Sequence, residues 1–144
     1  MGSSARVTEL PKWAGSLLAD SRVGRLGLLD ADGAPRVLPV TYAISGESLV
    51  TAVDQKPKRL SGEELARVRW LRARPAAALT VDHYDDDWSA LAWVQVLGNV
   101  RVLNAASAPD AMACLAQRYE PYRSEPPAGP LLILVPDRLL WWRA

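Results

Sequence analysis

The chain contains no phenylalanine, a single cysteine (Cys114), a single histidine (His83) and only three lysines. Each shortage excludes something. One cysteine cannot form an intramolecular disulfide, which fits a reducing cytoplasm. With His83 as its one imidazole the chain cannot build a histidine-based metal cluster, nor a Ser-His-Asp triad with a histidine to spare. The acidic run Asp85-Asp86-Asp87 lacks the spaced oxygens that hard cations require and reads as a solvated loop, so no metal is expected. No apolar stretch approaches the ~20 residues that span a bilayer, and the polar opening Met1-Gly2-Ser3-Ser4 is no secretory leader. A formal net charge of +1 provides no overall attraction to nucleic acid or to an anionic membrane. There is no glycine-rich dinucleotide fingerprint, no Walker-type loop and no evident carboxylate couple. No catalytic side chain is therefore assigned, and any chemistry would be borrowed from a cofactor.

A length of 144 residues suits one domain over residues 1–144, with no internal repeat or linker. The aromatic set is six tryptophans and four tyrosines, residues whose polar tips favour interfaces and ligand pockets over dry cores. Residues 1–6 read as a frayed start, and Leu10, Trp13, Leu17 and Leu18 mark a helix from about Thr8 to Asp20.

Short strands follow. Residues 23–29 and 36–42 flank the turn Asp30-Ala31-Asp32-Gly33, and Ser45-Gly46 leads to a strand near Leu49–Val53. Pro35 and Pro39 each remove a ladder donor, which places their strand at an edge or makes it irregular. A helix with Ser61 and Glu64 as a capping box buries Leu65, Val68 and Leu71 and stops at Pro75. Trp70 lies off that stripe and is expected to face a partner, a ligand or water.

After a strand from Ala76 to Asp82, residues 89–103 alternate with period two. Val94, Val96, Val100 and Val102 make a face fit for a barrel interior, and Gly98 marks a bend. The opposite face carries Trp93, Gln95 and Leu97, too apolar for open water, and reads as dimer interface and cofactor wall. A helix from Ser107 to about Arg118, a proline-rich connection from Tyr119 to Pro130, and strands at 131–135 and 139–142 complete the chain.

Lys56-Pro57-Lys58-Arg59 is the main chemical candidate, because it concentrates cations between a strand and a capped helix start. Backbone donors and the positive end of a helix dipole suit a phosphate there. A solvated polar turn is the other reading of the same residues.

These segments, in this order, resemble the split β-barrel family of pyridoxamine 5'-phosphate oxidase-like proteins. The resemblance rests on Gly24-Arg25-Leu26-Gly27 with Asp32-Gly33-Ala34-Pro35-Arg36 and Pro39-Val40-Thr41-Tyr42. It continues in Thr51–Arg59, in Arg74-Pro75 before Ala78–Asp82, and in Asp87-Trp88-Ser89 with Trp93–Val100. It implies a mainly β fold with helices, a split β-barrel of about six or seven strands and three helices. Within the family the chain is most similar to the branch that uses the deazaflavin cofactor F420, with FMN as the alternative. The resemblance implies a homodimeric reductase of a small organic substrate. Lys56, Lys58 and Arg59 would hold the cofactor phosphate, Thr41 and Thr51 would line its ring, and Trp93 and Gln95 would wall it. Arginines 67, 69, 72 and 74 would lie near the anionic tail, Arg67 being also in i,i+4 reach of Glu63 as an alternative partner. Gln95 stands where an arginine is expected, and a neutral amide cannot replace a fixed charge. A non-catalytic cofactor- or haem-binding protein is the remaining class, with His83 as a possible ligand.

Overall fold

The computed structural model describes residues 1–53, 62–127 and 129–144, the side chains of residues 62–65 excepted. Eight strands are present among the described residues: β1 (Gly2–Ser4), β2 (Gly24–Leu29), β3 (Pro35–Val40), β4 (Ala43–Ser45), β5 (Ser48–Ala52), β6 (Ala76–His83), β7 (Ala92–Leu103) and β8 (Leu131–Arg143). Four α-helices accompany them: α1 (Lys12–Asp20), α2 (Gly62–Ala73), α3 (Pro109–Arg118) and α4 (Glu120–Ser124). No helix among the described residues is long and apolar enough to cross a membrane.

All pairings are antiparallel, in the order β3-β2-β6-β7-β8-β5-β4, with β1 added to β8. The two edge strands, β3 and β4, are consecutive in the chain and joined only by Thr41 and Tyr42. Three Cα steps span at most about 11 Å, so the seven-strand path has to curl until its edges nearly meet. That constraint produces a split barrel. The prolines fall where their missing N–H groups cost least, since β3 is an edge.

The expected bend at Gly98 is a bulge. Leu97 opposes Arg138 and Gly98 opposes Pro136, which leaves Asp137 as the extra residue of β8. A Cβ on Gly98 would lie 2.0 Å from the carbonyl oxygen of Val135, so a larger residue does not fit. Because the bulge absorbs the irregularity, the two expected C-terminal strands form one strand of 13 residues. Gly33 and Gly46 adopt φ of 78° and 60°, conformations that the two hairpin turns require.

The inward faces of β2, β6, β7 and β8 supply Leu26, Leu79, Val94, Val96, Leu132 and Leu139 to the main core, where α1 adds Ala14 and Leu18 and α2 adds Val68 and Leu71. A second cluster lies on the other side of β4, β5 and β8, where α3 contributes Leu115, α4 contributes Tyr122 and the residue between them is Tyr119.

Several expectations need correction. The first residues pair with β8 and are not frayed. The first helix is split, a 3-10 turn at Val7–Glu9 preceding α1, because Pro11 cannot sit in a helix interior. Residues 88–90 form a 3-10 turn, so the long strand starts at Ala92. The proline-rich connection contains α4, started by Pro121 in its first turn, which raises the helix count from three to four. Trp70 is half-buried against the main core, with the Arg36 guanidinium 4.9 Å from its ring centre.

The seam of the barrel is tied by side chains. Tyr42, in the link between the edge strands, is fully buried and donates its hydroxyl proton to the Leu18 carbonyl. Arg118 donates to the carbonyls of Tyr42 (3.0 Å) and Ser21, and its guanidinium stacks 4.9 Å and 5.4 Å from the ring centres of Tyr42 and Tyr119. The Tyr119 hydroxyl lies 2.8 Å from the Arg22 carbonyl and 2.9 Å from that of Tyr42. Burial pushes the Tyr42 phenol up to about 12, against a partly offsetting pull from Arg118.

Candidate functional site on the outer sheet face

Directly opposed residues of an antiparallel sheet share a face. The outward rows can therefore be read from the register. One row runs Arg25, Thr80, Gln95, Leu140, and the next runs Asp82, Trp93, Trp142. A third runs Val37, Gly27, Ala78, Leu97, Arg138. The core-facing side chains of α1 and α2 join the inward residues of these strands, leaving the outer rows bare. Val37 is 68% exposed and Trp142 36% exposed. Polar contacts are few. The Gln95 amide donates to Thr80 Oγ1 at 3.3 Å, and Arg25 approaches Asp82 at 3.7 Å. The large side chains Trp93, Leu97, Leu140 and Trp142 lie among Gln95, Thr80 and the charged Arg25, Asp82 and Arg138, a mixed face that suits a flat partner surface or a flat ring.

The expected site residues divide into three groups. Trp93 and Gln95 sit together on this face, two residues apart on β7. Thr51 is buried on the opposite, inward side in register with Leu132, beside a crevice of about 10 Å³ lined by Leu26, Tyr42 and Leu79. That crevice admits no ring. Thr41 Oγ1 lies 2.7 Å from the Tyr122 hydroxyl, within the seam. Lys56, Lys58 and Arg59 lie outside the described residues, as do Ser61 and the side chains of Glu63, Glu64 and Leu65.

The arginines near α2 also differ among themselves. Arg74 donates to the carbonyls of Asp30 (3.0 Å) and Ala31 (2.9 Å), so it holds the β2–β3 turn. Arg67 Nε is buried and meets no hydrogen-bond partner among the described residues. A buried donor of this kind costs free energy until an acceptor meets it. Arg67 therefore fits a bound phosphate or carboxylate.

The acidic loop is accounted for by its own wiring. Asp87 caps the 3-10 turn through the Ser89 hydroxyl (2.7 Å) and N–H (3.0 Å), which hold its carboxyl below the usual carboxylate range. Asp85 accepts the Asp87 N–H at 2.7 Å, and Asp86 accepts from the Tyr84 hydroxyl at 3.1 Å. Among the described residues no group of three or more His, Cys, Asp or Glu side chains could hold a metal ion.

A feature missed in the sequence is a cleft of about 730 Å³ between α1 and the ends of β6, β7 and β8, bordered by Trp13, Asp20, His83 and Arg143. Its one local signal is the i, i+3, i+4, i+7 series Trp13, Ser16, Leu17 and Asp20.

An antiparallel sheet curled into a barrel that stays open along the seam between β3 and β4 defines the split β-barrel class. The chain belongs to the pyridoxamine 5'-phosphate oxidase family, whose model matches residues 14–131. No curated protein matches the sequence. Among solved structures, it is similar to an F420 reductase at 25% identity, covering 91% of this chain and 98% of that one, with a TM-score of 0.65. An FAD-binding protein from Mesorhizobium loti is 20% identical over 98% of this chain and 97% of that one, with a TM-score of 0.63. A haem-binding protein from Mycobacterium smegmatis is 20% identical with a TM-score of 0.70. The match to that last protein covers 88% of this chain but only 51% of the other, so this chain spans about half its length.

Proposed function

We propose that this chain is an oxidoreductase of the cytoplasm that uses reduced F420, with FMN as the alternative cofactor, to reduce a small organic substrate as a homodimer. The observation that carries the reading is the match to an F420 reductase over nearly the full length of both chains. The bare outer face supports the dimer, since Trp93, Leu97, Leu140 and Trp142 gain stability only when a second surface covers them.

In this reading Lys56 and Lys58, with Arg59, grip the cofactor phosphate. Arg67 offers its Nε to the tail, and Trp93 and Gln95 wall the ring. When bound, reduced F420 supplies the hydride. The chain's own work is to orient the ring against the substrate and to exclude water, which needs alignment more than a dedicated acid. Thr41 and Thr51 reach a ligand only if Tyr122 or the surrounding core gives way, so the basic turn and the outer face carry the site.

Calorimetry with F420 and with FMN at low and high salt tests the proposal. F420 should bind more tightly, by a margin that shrinks as salt screens its carboxylate tail. Equal affinities, or tighter FMN binding, would overturn it. The double variant Lys56→Ala/Lys58→Ala should weaken binding by about 3 kcal/mol or more, since charged hydrogen bonds contribute about 1.5–3 kcal/mol each.

A further inference from the structure

The cleft beside α1 is not used by the cofactor reading. It borders the Arg143 end of β8, whereas Ala52, the last β5 residue before the basic turn, opposes Leu131 at the other end. The two ends are roughly 40 Å apart along the strand at about 3.3 Å per residue.

One wall is the last inward row of the sheet, where His83 opposes Ala92 and Ala92 opposes Arg143. The small central alanine leaves room between an imidazole and a guanidinium. The other wall is one face of α1, with Trp13, Ser16, Leu17 and Asp20 on consecutive turns. The Arg143 guanidinium lies 5.0 Å from the centre of the Trp13 ring and makes no ion pair or hydrogen bond among the described residues. Asp20 likewise has no ion-pair partner among them. Asp82 also borders the cleft, but Arg25 at 3.7 Å offsets its charge. The cleft is thus dipolar: a free cation beside an indole at one end, and a free carboxylate seven helical residues away, roughly 10 Å along the axis, at the other. Its volume falls within the ~300–1,000 Å³ typical of small-molecule sites.

We propose that this cleft binds a small aromatic carboxylate that carries a hydroxyl or amino group at its far end. The carboxylate would take the guanidinium fork of Arg143, which matches carboxylate geometry. The ring would lie along Trp13 and Leu17, and the far hydroxyl or amine would donate to Asp20. A plain phenol lacks the first contact and a plain benzoate the second.

The test is an NMR titration of the full chain with 4-hydroxybenzoate, benzoate and phenol, following the Trp13 indole and His83 ring signals. The parent should give saturable shifts with 4-hydroxybenzoate, weaker binding of benzoate and no saturation with phenol. Arg143→Gln should weaken 4-hydroxybenzoate about tenfold, as expected for loss of a charge-assisted hydrogen bond. Asp20→Ala, which removes the acceptor, should abolish the advantage of 4-hydroxybenzoate over benzoate. Both side chains lie at the surface, and amide spectra that overlay on the parent away from the cleft establish that each variant is folded. Unsaturable shifts, phenol binding as tight as 4-hydroxybenzoate, or an unaltered affinity in Arg143→Gln would overturn the proposal. An Asp20→Ala variant that kept the preference for 4-hydroxybenzoate would overturn the placement of the hydroxyl.

Discussion

On the inner face of β7 and β8, Val94, Val96, Val100, Leu132, Leu134 and Leu139 are all buried, whereas on the outer face Trp93, Leu97, Leu140 and Trp142 remain partly open. The same two strands build both faces, and period-two alternation sorts the residues between them. The inner face is satisfied within one chain, because α1, α2 and the curl of the sheet close over it. The outer face mixes its large apolar side chains with Gln95, Asn99, Arg101 and Arg138 and has no cover among the described residues. Inner residues therefore determine whether the chain folds, and outer residues determine what the folded chain meets.

The largest effect is expected where the two faces are joined. Gly98→Val places a side chain against the Val135 carbonyl, a backbone atom that cannot retreat without opening the β7–β8 ladder. Chemical denaturation should show a loss above about 4 kcal/mol, or no folded protein. Next comes a direct comparison of neighbours. Leu139→Ala empties a fully buried position and should cost about 2–5 kcal/mol. Leu140→Ala, on the outer face, should cost less than about 1 kcal/mol at dilutions where the chain is monomeric. Equal losses in urea unfolding would break the distinction.

The seam gives a smaller effect with a pH signature. Tyr42→Phe leaves the buried Leu18 carbonyl without its donor and should cost about 1–3 kcal/mol near neutral pH. Because burial raises the folded-state phenol from 10.0 to about 12, its contribution is complete below pH 10 and is lost as pH rises through 12. That loss amounts to about 3 kcal/mol in the parent and is absent from the phenylalanine variant. The stability gap between the two should therefore close or invert between pH 10 and 12, as urea midpoints would show.

What could be read from the sequence was whatever is encoded locally. The alternation from Trp93 to Val102, the bend at Gly98, the turns at Gly33 and Gly46 and the edge position of Pro35 and Pro39 all depend on near neighbours. So does the adjacency of Trp93 and Gln95 on one face. Features made by distant residues were not legible. Gly2–Ser4 has no strand pattern of its own and is ordered only by β8. Proline-rich residues hid α4, whose Tyr122 is fixed by packing beside Thr41. Thr51 was expected at a ring but faces the core, because Leu49, Thr51 and Val53 share the inward side of β5. The cleft needs Trp13, His83 and Arg143, which only the closed sheet brings together.

The smallest effect on folding should be the largest on assembly. Leu97→Asp puts a charge in the middle of the outer face and touches nothing in the core, so monomer stability should change by no more than about 0.5 kcal/mol. Light scattering at micromolar concentration tests the central claim most directly. The parent should scatter as twice the 15.7 kDa chain mass, and Leu97→Asp as a single chain. A parent protein that scatters as one 15.7 kDa chain would contradict the assignment of the outer face as an interface.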